Sequence, residues 1–136
     1  GQPFTTTKQL AELVVRVVPT QERGKHPATR VFQAIRIAVN NELEELKQCL
    51  TQCLEVLTVG GRIAVISFHS LEDRIVKRFF QKEAKGNDYP PGLPVPEALI
   101  KRRLKIIGSL IRPTDKEVEN NIRARSARLR IAEKLL

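Results

Sequence analysis

The sequence predicts an α/β fold, on three observations. A helical pattern ends at the glycine pair Gly60-Gly61, a short apolar run follows, and a second helical pattern opens directly behind it. That order of helix, turn, strand and helix is the grammar of a doubly wound sheet. The apolar run, Ile63-Ala64-Val65-Ile66, is too short for a helix and too continuous for a half-exposed strand, which suits a buried strand of a parallel sheet. The tail alternates, with Ala127, Leu129 and Ile131 to one side and Arg128 and Arg130 to the other, as a half-buried strand does.

Each element has its own signal. From Thr5 to Val18 the residues Leu10, Leu13, Val14, Val17 and Val18 follow helical spacing, Thr6 and Gln9 resemble a capping box, and Pro19 stops the run. Gln21 to Lys25 is polar and basic, hence a loop. A second helix starts near Pro27 with Phe32, Ile35, Val39 and Leu43 as its stripe. Asn40 and Asn41 interrupt it, and Asn41 with Glu44 can cap a third helix carrying Leu46, Leu50, Leu54 and Leu57; the alternative is one long, bent helix. After the strand, Ser70 with Asp73 caps a helix to about Gln81, lined by Leu71, Ile75 and Phe79. Gly86 to Pro96, with four prolines, is a loop. A strand broken at Gly108 spans Leu104 to Ile111, and Pro113 to Val118 suits one helical turn. The two late strands suggest an antiparallel hairpin that finishes a mostly parallel sheet.

Composition narrows the partners. The 136 residues, 41% hydrophobic, have room for one modest domain with a real core, and no apolar run approaches the roughly 20 residues of a membrane span. Lysine and arginine number 24 against 15 acids, a formal charge of +9. Such an excess draws polyanions by counterion release, with nucleic acid the leading class, although solubility alone also uses charge. Cys49 and Cys53, four apart beside leucines, read as core thiols in a reducing cytoplasm. The chain has no methionine and opens on Gly1, so the expectation is that it does not begin at a natural start.

Chemistry is expected at the end of the strand. Ligands of open α/β sheets bind beyond the carboxyl ends of strands. Ser67, Phe68, His69 and Ser70 lie there, at a helix N-terminus. His69 can hydrogen-bond a base or a carboxylate, or merely pack; Ser70 can serve a ligand, or merely cap. Asp73 and Lys77, four apart, read as a surface ion pair, and Glu72 as solvated. Asn121, Arg123, Arg125 and Ser126 put an amide, two guanidiniums and a hydroxyl within six residues, a set able to hold phosphates and read a base edge, or else a solvated basic loop. Arg30 and Arg36 can meet RNA or pair with carboxylates, and His26 before them is a capping or packing residue. Tyr89-Pro90-Pro91-Gly92 has its aromatic on the wrong side for the tetrapeptide of amino-group methyltransferases and reads as a turn. No glycine-rich dinucleotide loop, Walker loop or metal-ligand spacing occurs.

Three strings go further. HPATRVFQAIRIAVN from His26 to Asn40, followed by Glu42-Leu-Glu-Glu, GGRIAVISFHSLEDRIVK from Gly60 to Lys77, and RARSARLRIAE from Arg123 to Glu133 closely resemble the ribosomal RNA small subunit methyltransferase H family, also called the MraW family. The resemblance covers nearly the whole chain. It departs at Ile122, where the family's Asn-Pro-Arg-Ala-Arg-Ser has proline, so the turn loses some stiffness. It implies the C-terminal half of a class I (Rossmann-like) methyltransferase sheet plus helices of a substrate-binding insertion. Residues 1–25 would end that helical insertion and 26–136 would form the C-terminal part of the methyltransferase domain. The glycine-rich loop that binds S-adenosylmethionine would lie upstream. The implied activity is transfer of a methyl group from S-adenosylmethionine to N4 of a cytidine in 16S rRNA, at the decoding centre of the small ribosomal subunit, in the bacterial cytoplasm. Ser67, His69 and Asn121 would act in catalysis. Ser70, Arg125, Ser126, Arg123, Arg30 and Arg36 would bind the substrate. The chain alone is expected to be inactive, to bind the cofactor weakly or not at all, and to dimerise through the exposed edge of its first strand. A non-enzymatic, basic RNA-binding module is the alternative.

Overall fold

The computed structural model describes residues 3–18, 26–86, 96 and 99–136. The expected loops at 21–25 and from 87 to 95, with Tyr89-Pro90-Pro91-Gly92, lie outside them. The described elements are α1 (Thr7–Val17), α2 (Thr29–Asn40), α3 (Glu42–Val56), β1 (Arg62–Ser67), α4 (Ser70–Lys85), β2 (Leu104–Ile111), α5 (Asp115–Asn120), a 3₁₀ helix (Ile122–Ser126) and β3 (Arg128–Lys134). None of the described helices is long and apolar enough to cross a membrane. The chain divides into two compact units, Gly1–Glu42 and Leu43–Leu136. The sequence reading put its boundary earlier, at 25/26.

In the first unit, Thr6 caps α1 with both arms of the capping box. Its hydroxyl accepts the Gln9 N–H, and the Gln9 side chain accepts the Thr6 N–H. α2 begins at Thr29, after a turn over Pro27 and Ala28 in which His26 Nδ1 accepts the Ala28 N–H at 3.2 Å. His26 thus braces the turn before α2, whose own N-cap, Ala28, has no side-chain cap. α2 and α3 are separate helices because Asn41 takes a left-handed conformation, φ 51°, which asparagine tolerates at a helix C-terminus.

In the second unit the sheet order is β1-β3-β2, and both pairings are antiparallel. The late strands are antiparallel, as expected, but β3 lies between β1 and β2. The core sits on one face of this sheet, where Ile63, Leu104 and Ala132 meet Leu50 and Leu54 of α3 and Val76 and Phe80 of α4. Asp73, Val76 and Phe80 form the buried face of α4, with Ile75 and Phe79 flanking it. Leu71, expected on that face, is exposed. α4 also runs one turn beyond Gln81.

The Gly60-Gly61 turn locks α3 to the sheet. Gly60 has φ +80°, and a Cβ on Gly61 would stand 2.8 Å from the Leu57 side chain. Gly60 N–H donates to the Lys134 carbonyl, and Lys134 N–H to the Gly61 carbonyl, so the β1–β3 ladder continues into the turn. The Lys134 ammonium donates to the carbonyls of Leu54 and Leu57 at 2.6 and 2.7 Å, satisfying the end of α3 with a cation. Arg103 ties α3 to α4 through Glu55 and Glu83.

β1 carries apolar residues on both faces, and among the described residues of the second unit the core packs on one of them. Ile63 and Ser67 are buried, whereas Ile66 is 59% exposed. Its neighbours on the second face include Ala64, Leu129 and Ile131. The fully buried parallel strand expected from the run is, among the described residues, a half-exposed strand at the end of the sheet order, paired antiparallel with β3.

The two thiols separate as well. Cys53 packs against the core, but Cys49 is exposed, contrary to the expectation of two core thiols. They lie four apart on α3, and only Cys53 turns with Leu50 and Leu54 toward the sheet. Burial, and then the neighbouring Cys49, push the Cys53 thiol above its ordinary value. Iodoacetamide at neutral pH is expected to modify Cys49 first, and equal rates by mass spectrometry would contradict this placement.

Candidate functional site

β1 delivers Ser67 to the end of the sheet, and a single acidic residue shapes the turn that follows. His69, in extended conformation, is the N-cap of α4; the sequence reading gave that role to Ser70. Its Nδ1 accepts the Glu72 N–H at 3.4 Å. The Glu72 carboxylate turns back and accepts the N–H groups of Phe68 and His69 at 3.0 and 3.3 Å. Glu72 is therefore not a solvated surface acid. With Asp73 engaged by the arginines of β3, the box forms on His69 and Glu72, and Ser70 is the first helical residue and exposed.

The same geometry fixes the ring of His69. Because Nδ1 accepts, the neutral imidazole carries its proton on Nε2. Nε2 is buried and stands 3.1 Å from Glu72 Oε1, but the alignment is too poor for a hydrogen bond. His69 is thus held in one orientation, with an Nε2–H that lacks a well-directed acceptor.

The second predicted segment arrives at the same place. Asn121 caps the 3₁₀ helix: its Oδ1 accepts the Arg123 N–H at 3.1 Å, and its carbonyl accepts the Ala124 N–H. That helix runs directly into β3. The register pairs Ser67 with Arg128, and Ser67 Oγ donates to the Arg128 carbonyl at 3.4 Å. The exit of β1 and the approach to β3 therefore adjoin. Asn121, Arg123, Arg125 and Ser126 are all exposed there, while Ser67 is buried. Arg30 and Arg36 belong to the first unit, where Arg36 pairs with Glu42 at 3.0 Å.

Asp73 was missed as a site-forming residue. It is only 6% exposed. It receives Nε and Nη2 of Arg130 at 2.7 and 3.2 Å and Nη1 of Arg128 at 3.0 Å. The expected Asp73–Lys77 ion pair gives way to this bidentate contact, which is stronger and better directed. The arginine face of β3, expected to be the solvated one, instead faces α4. One signal was available: Asp73, Val76 and Phe80 share a helix face, so a carboxylate there points at the sheet and needs a cation.

Among the described residues, the turn after β1 does not form a cradle for S-adenosylmethionine. β1 is followed by Phe-His-Ser rather than a glycine-rich turn, and the two carboxylates beside it are committed, Glu72 to backbone amides and Asp73 to arginines.

Comparison with known proteins gives one consistent result. The family described as the MraW methylase family matches residues 1–135. The chain is 60% identical over 134 residues to the ribosomal RNA small subunit methyltransferase H of Coxiella burnetii (strain RSA 331 / Henzerling II). It is 57% identical over 135 residues to that of Shewanella sediminis, and 56% identical to that of Shewanella amazonensis. In each case 98% of this chain is covered and 43% of the relative, so the chain spans less than half the length of the curated relatives it matches.

The Asp73 contact makes a pH-dependent prediction. Hydrogen bonding from Arg130, helped by Arg128 and opposed by burial, holds the Asp73 carboxyl below its ordinary 3.8. A carboxylate lowered on folding adds stability that is complete above the unfolded value and lost as pH falls through the folded one. Asp73→Ala should cost about 3 kcal/mol at pH 7, because two partly buried guanidiniums lose their partner. The gap between parent and variant in urea denaturation should shrink below about pH 4. A gap that stays constant down to pH 2 would contradict the linkage.

Proposed function

The chain belongs to the MraW methylase family, and from that premise we propose that it forms the RNA-facing part of an S-adenosylmethionine-dependent methyltransferase acting on ribosomal RNA of the small subunit. The observation that carries the proposal is the meeting of Ser67 with Arg128, which sets the Ser67–Ser70 turn beside the Asn121–Ser126 segment. The substrate is a cytidine of 16S rRNA at the decoding centre, modified on N4, and the reaction belongs to the cytoplasm. Residues 1–25 end a helical substrate-binding insertion, and 26–136 belong to the catalytic domain.

The roles follow from the side chains. Arg123 and Arg125 are exposed guanidiniums that hold phosphates, which neither fold nor pairing otherwise employs among the described residues. Asn121 uses Oδ1 internally and keeps its NH₂ for a base edge. The His69 ring, fixed by Glu72 with Nε2 turned inward, orders the turn that meets the nucleotide, and Ser67 and Ser70 frame it. Arg30, Arg36 and Ser126 contact RNA backbone. The bound cofactor supplies the methyl group. The turn after β1 offers it no glycine-rich loop, and the chain alone is inactive and binds S-adenosylmethionine weakly.

At the matching positions of a full-length relative, His69→Ala and Asn121→Ala should each lower methyl transfer to small-subunit rRNA by about 100-fold. Arg125→Ala should weaken RNA binding and reduce its salt slope by about 0.7. Unchanged methylation in the first two variants would refute their roles. RNA binding that responds alongside methylation that does not would leave a basic RNA-binding surface without a catalytic part. A calorimetric titration giving micromolar affinity of the 136-residue chain for S-adenosylmethionine would contradict the missing cradle.

Among the described residues β1 pairs on one side only and presents an apolar edge. Such an edge templates strand addition. The isolated chain is expected to pair with a second copy through residues 63–66, and a monomer mass by light scattering at 100 µM, ~1.5 mg/mL, would exclude it.

A further inference from the structure

The irregularity in β2 opens a pocket that the site described above does not use. The register passes from Ile107 opposite Ile131 to Ile111 opposite Leu129, so Gly108, Ser109 and Leu110 together stand opposite Arg130. Gly108 supplies the φ of +67° that this bulge needs, and nothing lies within 4 Å of where its Cβ would be. Between the bulge and α4 is a cavity of about 270 Å³, close to the lower size of a small-molecule site. Its lining includes Lys77, Gln81, Ser109 and Arg130, with Phe80 and Ile106 as apolar wall.

The charge of this cavity is one-sided. None of its lining residues is acidic. Lys77 is exposed and, among the described residues, has no hydrogen-bond or ion-pair partner, because Asp73 has turned to the arginines. Arg130 gives Nε and one hydrogen of Nη2 to Asp73, which leaves it further donors. The one carboxylate is shared by Arg128 and Arg130, which leaves the charge of Lys77 uncompensated by it. The apolar wall lowers the local dielectric and strengthens what charge remains.

We infer that this pocket is an anion subsite for a phosphate group of single-stranded RNA, held by Lys77 and Arg130 with the Ser109 hydroxyl and Gln81 amide as neutral donors. The inference rests on the RNA-facing reading proposed above and extends it. Arg130 stands two residues, about 7 Å, along β3 from Arg128, whose carbonyl meets Ser67. A nucleotide lying at the end of β1 therefore brings the phosphate of a neighbouring nucleotide toward the bulge.

Two titrations of the 136-residue chain test this. Inorganic phosphate, followed by NMR amide shifts, should give saturable changes at Gly108, Ser109 and Leu110 that vanish in Lys77→Ala. A single-stranded RNA oligonucleotide, followed by fluorescence anisotropy between roughly 50 and 200 mM salt, should bind several-fold more weakly to Lys77→Ala, with a salt slope smaller by about 0.7. Lys47→Ala on α3 should match the parent, and Lys77→Arg should restore binding. Phosphate shifts absent from the bulge, or a Lys77→Ala chain that binds RNA with the parent's affinity and slope, would overturn the subsite. Phosphate bound at the bulge by a parent chain that binds no RNA would uphold the anion site and sink the RNA reading instead.

Discussion

Two guanidiniums of β3 converge on one carboxylate of α4. Arg128 and Arg130 alternate along the strand, so both side chains leave the same face of the sheet, and Asp73 stands opposite them in the first turn of the helix. The contact is largely buried, so its desolvation must be offset by well-directed hydrogen bonds, and the bidentate grip of Arg130 supplies them. It fixes how far α4 stands along β3. Because β3 is also registered against β1, the start of α4, the end of β1 and the approach to β3 are held in one relation.

Glu72 and Asp73 are neighbours in sequence with opposite tasks. A helix turns about 100° per residue. Asp73 therefore faces the sheet, while Glu72 faces back over the turn and takes two backbone N–H groups that α4 cannot satisfy itself. The turn between β1 and α4 is held from inside by one carboxylate and tied to the strand behind it by the other. That leaves the side chains of His69 and Ser70 positioned by the backbone rather than by their own partners across the site, the arrangement a recognition surface needs.

The sheet is covered unequally. α3 and α4 close one face, where Leu54, Val76, Phe80 and Leu104 are almost wholly buried. The other face carries Ile66 and Ile111 in the open. An apolar strand run that reads as buried on both sides is thus half buried among the described residues.

Local patterns in the sequence determined most of the elements. Helical spacing, the Thr6–Gln9 box, the glycine pair before β1 and the alternation of the tail all act over a few residues, and each appears in the structure where the pattern put it. The motif strings determined the family, because long identical words are specific whatever the fold around them. Tertiary structure alone decided which side chains meet. The Ser67–Arg128 register, 61 residues apart, and the Asp73–Arg130 contact, 57 apart, depend on how a helix and two strands pack. A lone sequence leaves Asp73 a choice between Lys77 one turn away and arginines far along the chain. Packing settles it, because only the inward-facing carboxylate loses its water and must find the better donor.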